Sequence, residues 1–93
     1  MFTHIAIHTP KPEHREDVKA SMHRAAAASG GAEGLLQMGP WQEIDGGRLV
    51  GLSMWESREA FLAAGPSMFA AVGDDPFDEW EAGPIVSLQL EEA

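Results

Sequence analysis

The sequence predicts an α+β fold, an antiparallel four-stranded sheet with two helices on one face, and three observations lead to it. Period-two alternation recurs in four short segments, over residues 2–8, 34–44, 48–56 and 85–91. Helical spacing fills the gap after the first segment and again after the third. The two middle segments are separated only by Asp45-Gly46-Gly47, a hairpin turn in which glycine accepts positive φ.

The first strand sets Thr3, Ile5 and Ile7 against Phe2, His4, Ala6 and His8. Thr9-Pro10-Lys11-Pro12 ends it, and Pro12 suits the first turn of a helix over residues 12–29, with Glu13, Glu16 and Asp17 near the positive end of its dipole. Val18, Met22, Ala25, Ala26 and Ser29 form a narrow inward stripe, and Gly30-Gly31 stops the helix. The second strand carries Leu36 and Met38 on one side and Leu35, Gln37 and Trp41 on the other, with Gly39-Pro40 marking a bulge or an edge position. Val50, Leu52 and Met54 alternate with Leu49, Gly51, Ser53 and Trp55 in the third. Ser57 then caps a second helix whose inward side holds Ala60, Phe61 and Ala64, and Gly65-Pro66 is expected to break it before a further turn or two over residues 67–72. Residues 73–83 read as an acidic irregular segment with a helical turn at 78–81, before a last strand that sets Val86, Leu88 and Leu90 against Ile85, Ser87 and Gln89.

The order β-α-β-β-α-β is the ferredoxin-like split βαβ plan, and residues 1–93 are expected to form a single domain. The wholly apolar strand face (Ile5, Ile7, Leu36, Met38, Val50, Leu52, Met54, Val86, Leu88, Leu90) is expected under the helices. The mixed face (Phe2, His4, Ala6, His8, Leu35, Trp41, Leu49, Ser53, Trp55 and Ile85 among others) would leave two indoles and several aliphatics in water. A patch of that kind marks an interface, so a second copy of the chain is expected on it.

Composition narrows the partners. Fifteen acidic residues against six basic ones give a formal charge of −9, a field that repels nucleic acid. No run of about 18 apolar residues is present to span a membrane, and Met1-Phe2-Thr3-His4-Ile5 lacks the pattern of an export signal. The chain has no cysteine, hence no disulfide or thiolate chemistry, which suits a cytoplasmic protein.

The Glu33-Gly34-Leu35-Leu36 stretch, the glycine hairpin and the Trp55-Glu56-Ser57…Ala60-Phe61 junction resemble the antibiotic-biosynthesis-monooxygenase (ABM) type of dimeric α+β barrel. That resemblance implies a homodimer whose sheets close into a barrel, with a small apolar cavity in each subunit. It further implies oxygenation of aromatic polyketides or quinols without a cofactor, haem cleavage, or no established activity. The haem-cleaving pattern requires an asparagine, a tryptophan and a histidine where this chain has Ile5, the Ala63-Ala64 region and the Ala71-to-Asp74 region, so haem degradation is not expected. His23, Leu35-Leu36, Gly39-Pro40, Asp45-Gly46-Gly47 and Asp75-Pro76-Phe77 are in turn similar to YCII-related proteins of the same superfamily, which implies a His–Asp pair, here His23 with Asp75, in a lyase or dehalogenase-like enzyme.

The candidate chemistry follows from residue type. His4, His8 and His23 are the candidate catalytic groups, because an imidazole titrates near neutrality and can take a proton from a phenol or quinol. The alternatives are that His4 and His8 face solvent or bond across a dimer, and that His23 lies on a helix surface. Met38, Trp41, Met54, Trp55, Met68 and Phe69 are the candidate substrate-binding residues, with a small apolar molecule as ligand. The indole N–H of Trp55 is expected to bond to backbone. A metal site is not expected: His4 and His8 stand about 13 Å apart along their strand, and Asp74, Asp75, Asp78, Glu79 and Glu81 read as a solvated loop. No phosphate-binding glycine loop is present, and no cofactor is expected. The leading expectation is a cofactor-free monooxygenase-like protein acting on a small aromatic. A non-catalytic ligand-binding or stress-associated barrel is the alternative.

Overall fold

Residues 1–93 are all described by a computed structural model. The strands are β1 (Phe2–His8), β2 (Leu35–Gln42), β3 (Leu49–Trp55) and β4 (Val86–Glu91), and the helices are α1 (Arg15–Ser29), α2 (Arg58–Val72) and the single turn α3 (Phe77–Trp80). All pairings are antiparallel, in the order β2-β3-β1-β4. This is the ferredoxin-like plan that the element order predicts.

Local chemistry accounts for the boundaries. Pro12 opens a 3-10 turn over Pro12–His14 that leads directly into α1, and Gly31, at φ +80°, follows its end. The Ser57 hydroxyl accepts the Ala60 N–H at 3.1 Å and so starts α2. Contrary to expectation, α2 runs unbroken through Gly65-Pro66 to Val72. Pro66 and Leu62 both lie on its solvent side, so the carbonyl that the proline leaves without a donor has water available.

Of the two readings of Gly39-Pro40, a bulge or an edge position, the edge position is the one found. Gly39 and Pro40 stay in register with Leu52 and Gly51, and the irregularity falls between Leu35 and Gln37. Pro40 is tolerated because β2 is an edge strand. The slip changes the phase of β2, so Leu35 and Met38 share the face of Trp55 and Ser53, while Trp41 pairs with Val50 on the other side.

The two sheet faces are the reverse of the expectation. Phe2, Leu49, Ser53, Trp55 and His8 are the buried strand residues, and they belong to the mixed face, which therefore lies under the helices. The wholly apolar face is open: Leu36, Val86, Leu88 and Leu90 are exposed on it, together with Trp41. Alternation defines two sets of side chains without saying which set the helices cover. Large residues at the strand ends decide it. Phe2 pairs with Trp55 at one end, where Phe61 of α2 packs on both at ring centroid distances of 5.0 and 5.9 Å. Leu49 packs with Val18 and Met22 of α1 at the other end, joined by Trp80. Between these two plugs the centre of the sheet carries the small residues Ala6, Gly51, Ser53 and Ser87, so the middle of the layer is hollow.

Candidate active site

That hollow is a cavity of about 350 Å³ between the sheet and the helices. Its floor is His4, Ala6 and His8 of β1, Gly51 and Ser53 of β3, Met38 and Pro40 of β2, and Ser87 beside β1. Its roof is Ser21, Met22, Ala25 and Ala26 of α1 and Met68 and Val72 of α2, with Phe77 and Ile85 at the side. Small residues open the space: a Cβ on Gly51 would stand 3.4 Å from the Met22 Cε. The volume suits a small organic molecule, and the walls are apolar apart from imidazoles and serine hydroxyls.

The two strand histidines differ in their surroundings. The His4 ring stacks on Phe61 at 4.9 Å, and its Nε2 lies 2.9 Å from the Ser87 Oγ. Burial lowers its pKa from the ordinary imidazole value, so neutral His4 is favoured. His8 is buried, with its ring 5.8 Å from that of Phe77, and its Nδ1 lies 2.9 Å from a carboxylate oxygen of Glu81. Glu81 follows α3 directly and is itself buried. It is held there by backbone bonds between two antiparallel segments, Lys11 N–H to the Trp80 carbonyl at 2.8 Å and Ala82 N–H to the Thr9 carbonyl at 2.7 Å. The expectation of a solvated acidic loop is therefore corrected at Glu81. It is corrected at Asp75 too, whose Oδ2 accepts from the Ser21 hydroxyl and from Arg24, each at 2.6 Å.

His4, His8, Met38 and Met68 are thus brought together on one cavity, whereas the sequence predicts the two histidines on the face away from the helices and Met38 on the face beneath them. The other named residues are not. His23 is exposed on α1, one position past the inward-facing Met22, and Asp75 is engaged by Ser21 and Arg24 instead. The His23–Asp75 pair implied by the YCII-like resemblance is accordingly not formed. Trp41 and Met54 lie on the open face of the sheet, because the β2 slip and the reversed faces carry them away from the helices. Phe69 is 73% exposed on the outer side of α2. Trp55 is fully buried in the end plug, and its indole N–H has no hydrogen-bond partner, against the expected backbone bond. Sequence reasoning missed Ser53, Ser87 and Glu81. The i, i+2 alternation from His4 and His8 through their strand partners could have found the two serines, whereas nothing local singles out Glu81 from its four acidic neighbours Asp74, Asp75, Asp78 and Glu79.

No three His, Asp or Glu side chains converge in a way that could hold a metal ion, and no helix is long and apolar enough to cross a membrane.

The fold and the cavity define a small ferredoxin-like α+β protein with a chamber between sheet and helices. Solved structures share that fold along the whole chain. Rv0793 from Mycobacterium tuberculosis superimposes with a TM-score of 0.85 at 20% identity, covering 99% of this chain and 94% of that one. A conserved protein from Methanosarcina mazei Go1 gives 0.86 at 14% identity, with 99% and 92% covered. A structure described as an antibiotic biosynthesis monooxygenase gives 0.81 at 14% identity, with 100% and 99% covered. Curated proteins give no match. The chain belongs to the antibiotic biosynthesis monooxygenase family, whose profile matches residues 1–67.

Proposed function

We propose that the protein is a cytoplasmic, homodimeric monooxygenase that oxidises a small aromatic phenol, quinol or anthrone in the cavity between sheet and helices, with no cofactor. The observation that carries this reading is the cavity of about 350 Å³ walled by apolar side chains with two imidazoles in its floor, within a monooxygenase-like family. Apolar walls favour a flat hydrocarbon framework, and an imidazole can remove the proton that makes such a framework electron-rich. The resulting anion supplies the electrons that O₂ requires. For anthrone the balance is one CH₂ and one O₂ giving one carbonyl and one water. Homodimerisation is supported by the open sheet face, where Val86, Leu88 and Leu90 leave an apolar surface that a second copy would cover.

The test is oxygen uptake with anthrone and with a panel of hydroquinones, alongside chemical-shift changes at His4 and His8 under anaerobic conditions. Stoichiometric uptake above the uncatalysed rate, with shifts at both imidazoles, is the expected result. Imidazole shifts without oxygen uptake would identify a binding protein. Neither response would overturn the reading altogether.

A further inference from the structure

Among the cavity histidines only His8 has a carboxylate behind it, and that carboxylate belongs to a segment beyond the family-matched residues 1–67. The side chains of His8 and Glu81 are 10% and 4% exposed, so the pair is nearly sealed from water. Burying a carboxylate there is costly unless its partner does something for it. Glu81 keeps only one bond of the several it could make, since its second oxygen has no partner. A structural ion pair would ordinarily satisfy both oxygens. An acceptor dedicated to a single ring nitrogen needs only one.

We propose that Glu81 is a positioning residue for His8: it holds the neutral imidazole in the tautomer with the proton on Nδ1, so that unprotonated Nε2 serves the cavity as the acid–base atom. The inference rests on the proposed oxidation in the same cavity and assigns the base within it. A carboxylate at 2.9 Å accepts from Nδ1, which makes that nitrogen the donor. Nε2 makes no hydrogen bond, on a residue that lines the cavity. With anthrone as substrate, the C10–H bond breaks, Nε2 takes the proton, and the electron pair stays with the substrate as the anthranolate. The imidazolium formed is then flanked by the Glu81 carboxylate, which stabilises it as it appears. His4 is the poorer base, because its Nε2 is already engaged with Ser87 and its ring is stacked on Phe61. Its place is to pack against the substrate and contribute a hydrogen bond.

Long-range ¹H–¹⁵N spectra of the protein labelled at histidine read the tautomer directly. Wild type is expected to show neutral His8 protonated on Nδ1. Glu81→Ala is expected to shift the population towards Nε2–H, the usual form of a free imidazole, and Glu81→Gln to restore Nδ1–H because its amide oxygen still accepts. With anthrone as probe, Glu81→Ala should lower kcat by about 100-fold, within the range for lost general-base catalysis, while KM changes by less than about twofold. Glu81→Gln, which keeps the tautomer and loses the charge, should fall in between. Should Glu81→Ala not fold, the wild-type tautomer and the Glu81→Gln rate still decide the matter. Nε2–H in wild type, an unchanged tautomer in Glu81→Ala, or an unchanged kcat in Glu81→Gln each overturns the assignment. Wild-type protein that shows the Nδ1–H tautomer and consumes no oxygen defeats the oxidation reading and, with it, the role given to Nε2 in that reaction, while the contact between Glu81 and His8 stands.

Discussion

Gly34 lies so close beneath α2 that a Cβ placed on it would stand 2.7 Å from the Cβ of Ala60. Its φ is +82°, a region that other residues occupy only with strain. The carbonyl of Gly34 also accepts the Glu56 N–H at 2.8 Å, so this one residue ties the start of β2 to the end of β3 and the first turn of α2.

Gly34→Ala should therefore be destabilising by about 1–3 kcal/mol, the usual cost of a non-glycine residue forced into that backbone region. Urea unfolding measures it. The double variant Gly34→Ala, Ala60→Gly relieves the contact and leaves the φ strain, so it should recover only part of the loss. Full recovery would mean that crowding alone, and not the backbone, makes glycine necessary.

Trp55 separates packing from hydrogen bonding. It is completely buried against Phe61 and carries an indole N–H with no acceptor. Trp55→Ala empties the plug and should cost about 3–5 kcal/mol. Trp55→Phe loses some packing and also removes a buried unsatisfied donor, whose burial costs about 1–3 kcal/mol, so its net cost should be well under half that of the alanine variant. Thermal and urea unfolding of the two variants side by side give the ratio.

The β-α-β-β-α-β order, the hairpin, the Ser57 cap and the presence of two chemically distinct sheet faces were legible in the residues, because each follows from local spacing or turn chemistry. Which face the helices cover was not. That depends on how Phe2, Leu49 and Trp55 meet Phe61, Val18 and Met22, contacts that link positions far apart in the chain. The phase of β2 was equally hidden, since one irregularity near Leu36 moves Trp41 to the opposite side. At the site, His4 and His8 could be named from residue type and alternation. Glu81 could not, because only the pairing of residues 9–11 with 80–82 withdraws it from exposed neighbours such as Asp78 and Glu79.

His4 gives a pH dependence with a definite sign. Its pKa is lowered in the folded protein by burial, below the 6.5 of the free imidazole. The unfolded chain therefore binds the proton more readily, so the stabilising contribution of neutral His4 is complete above about pH 6.5 and is lost as pH falls towards the lower, folded pKa. Relative to His4→Phe, which cannot titrate, wild type should lose stability between pH 7.5 and pH 5.5, with a slope no steeper than about 1.4 kcal/mol per pH unit, the limit for one proton. Parallel stability curves for the two proteins across that range would count against burial as the dominant influence on this imidazole.

Filling the cavity without touching a histidine tests where ligand binds. A Cβ on Gly51 points towards Met22 Cε at an ordinary contact distance of 3.4–4 Å from its neighbours, so a larger side chain there must occupy the chamber. Gly51→Val should retain the fold by circular dichroism and weaken binding of an anthrone or naphthol probe by at least 10-fold, as read from His4 and His8 shifts. Unchanged affinity would place the ligand elsewhere.

The open sheet face is the remaining surface that water alone does not explain. Val86, Leu88 and Leu90 alternate along β4 at 47%, 42% and 46% exposure, beside Ile5 and Ile7 of β1, and no helix reaches them. A second copy laid on this face would remove all of them from water, at about 25 cal/mol for each Å² of apolar area covered. Such packing is sensitive to charge, because a carboxylate introduced among these side chains would be buried against apolar groups in a chain that already carries a net charge of −9. Leu88→Glu should consequently sediment at the 10.0 kDa mass of one chain while wild type sediments at twice that mass, with the helical circular dichroism of the subunit retained. In the variant, Trp41, already 54% exposed in the single subunit, should become freely quenched by iodide, whereas buried Trp55 should not. A wild-type protein that sediments as a single chain at micromolar concentration would show that the face is not covered by a copy of itself.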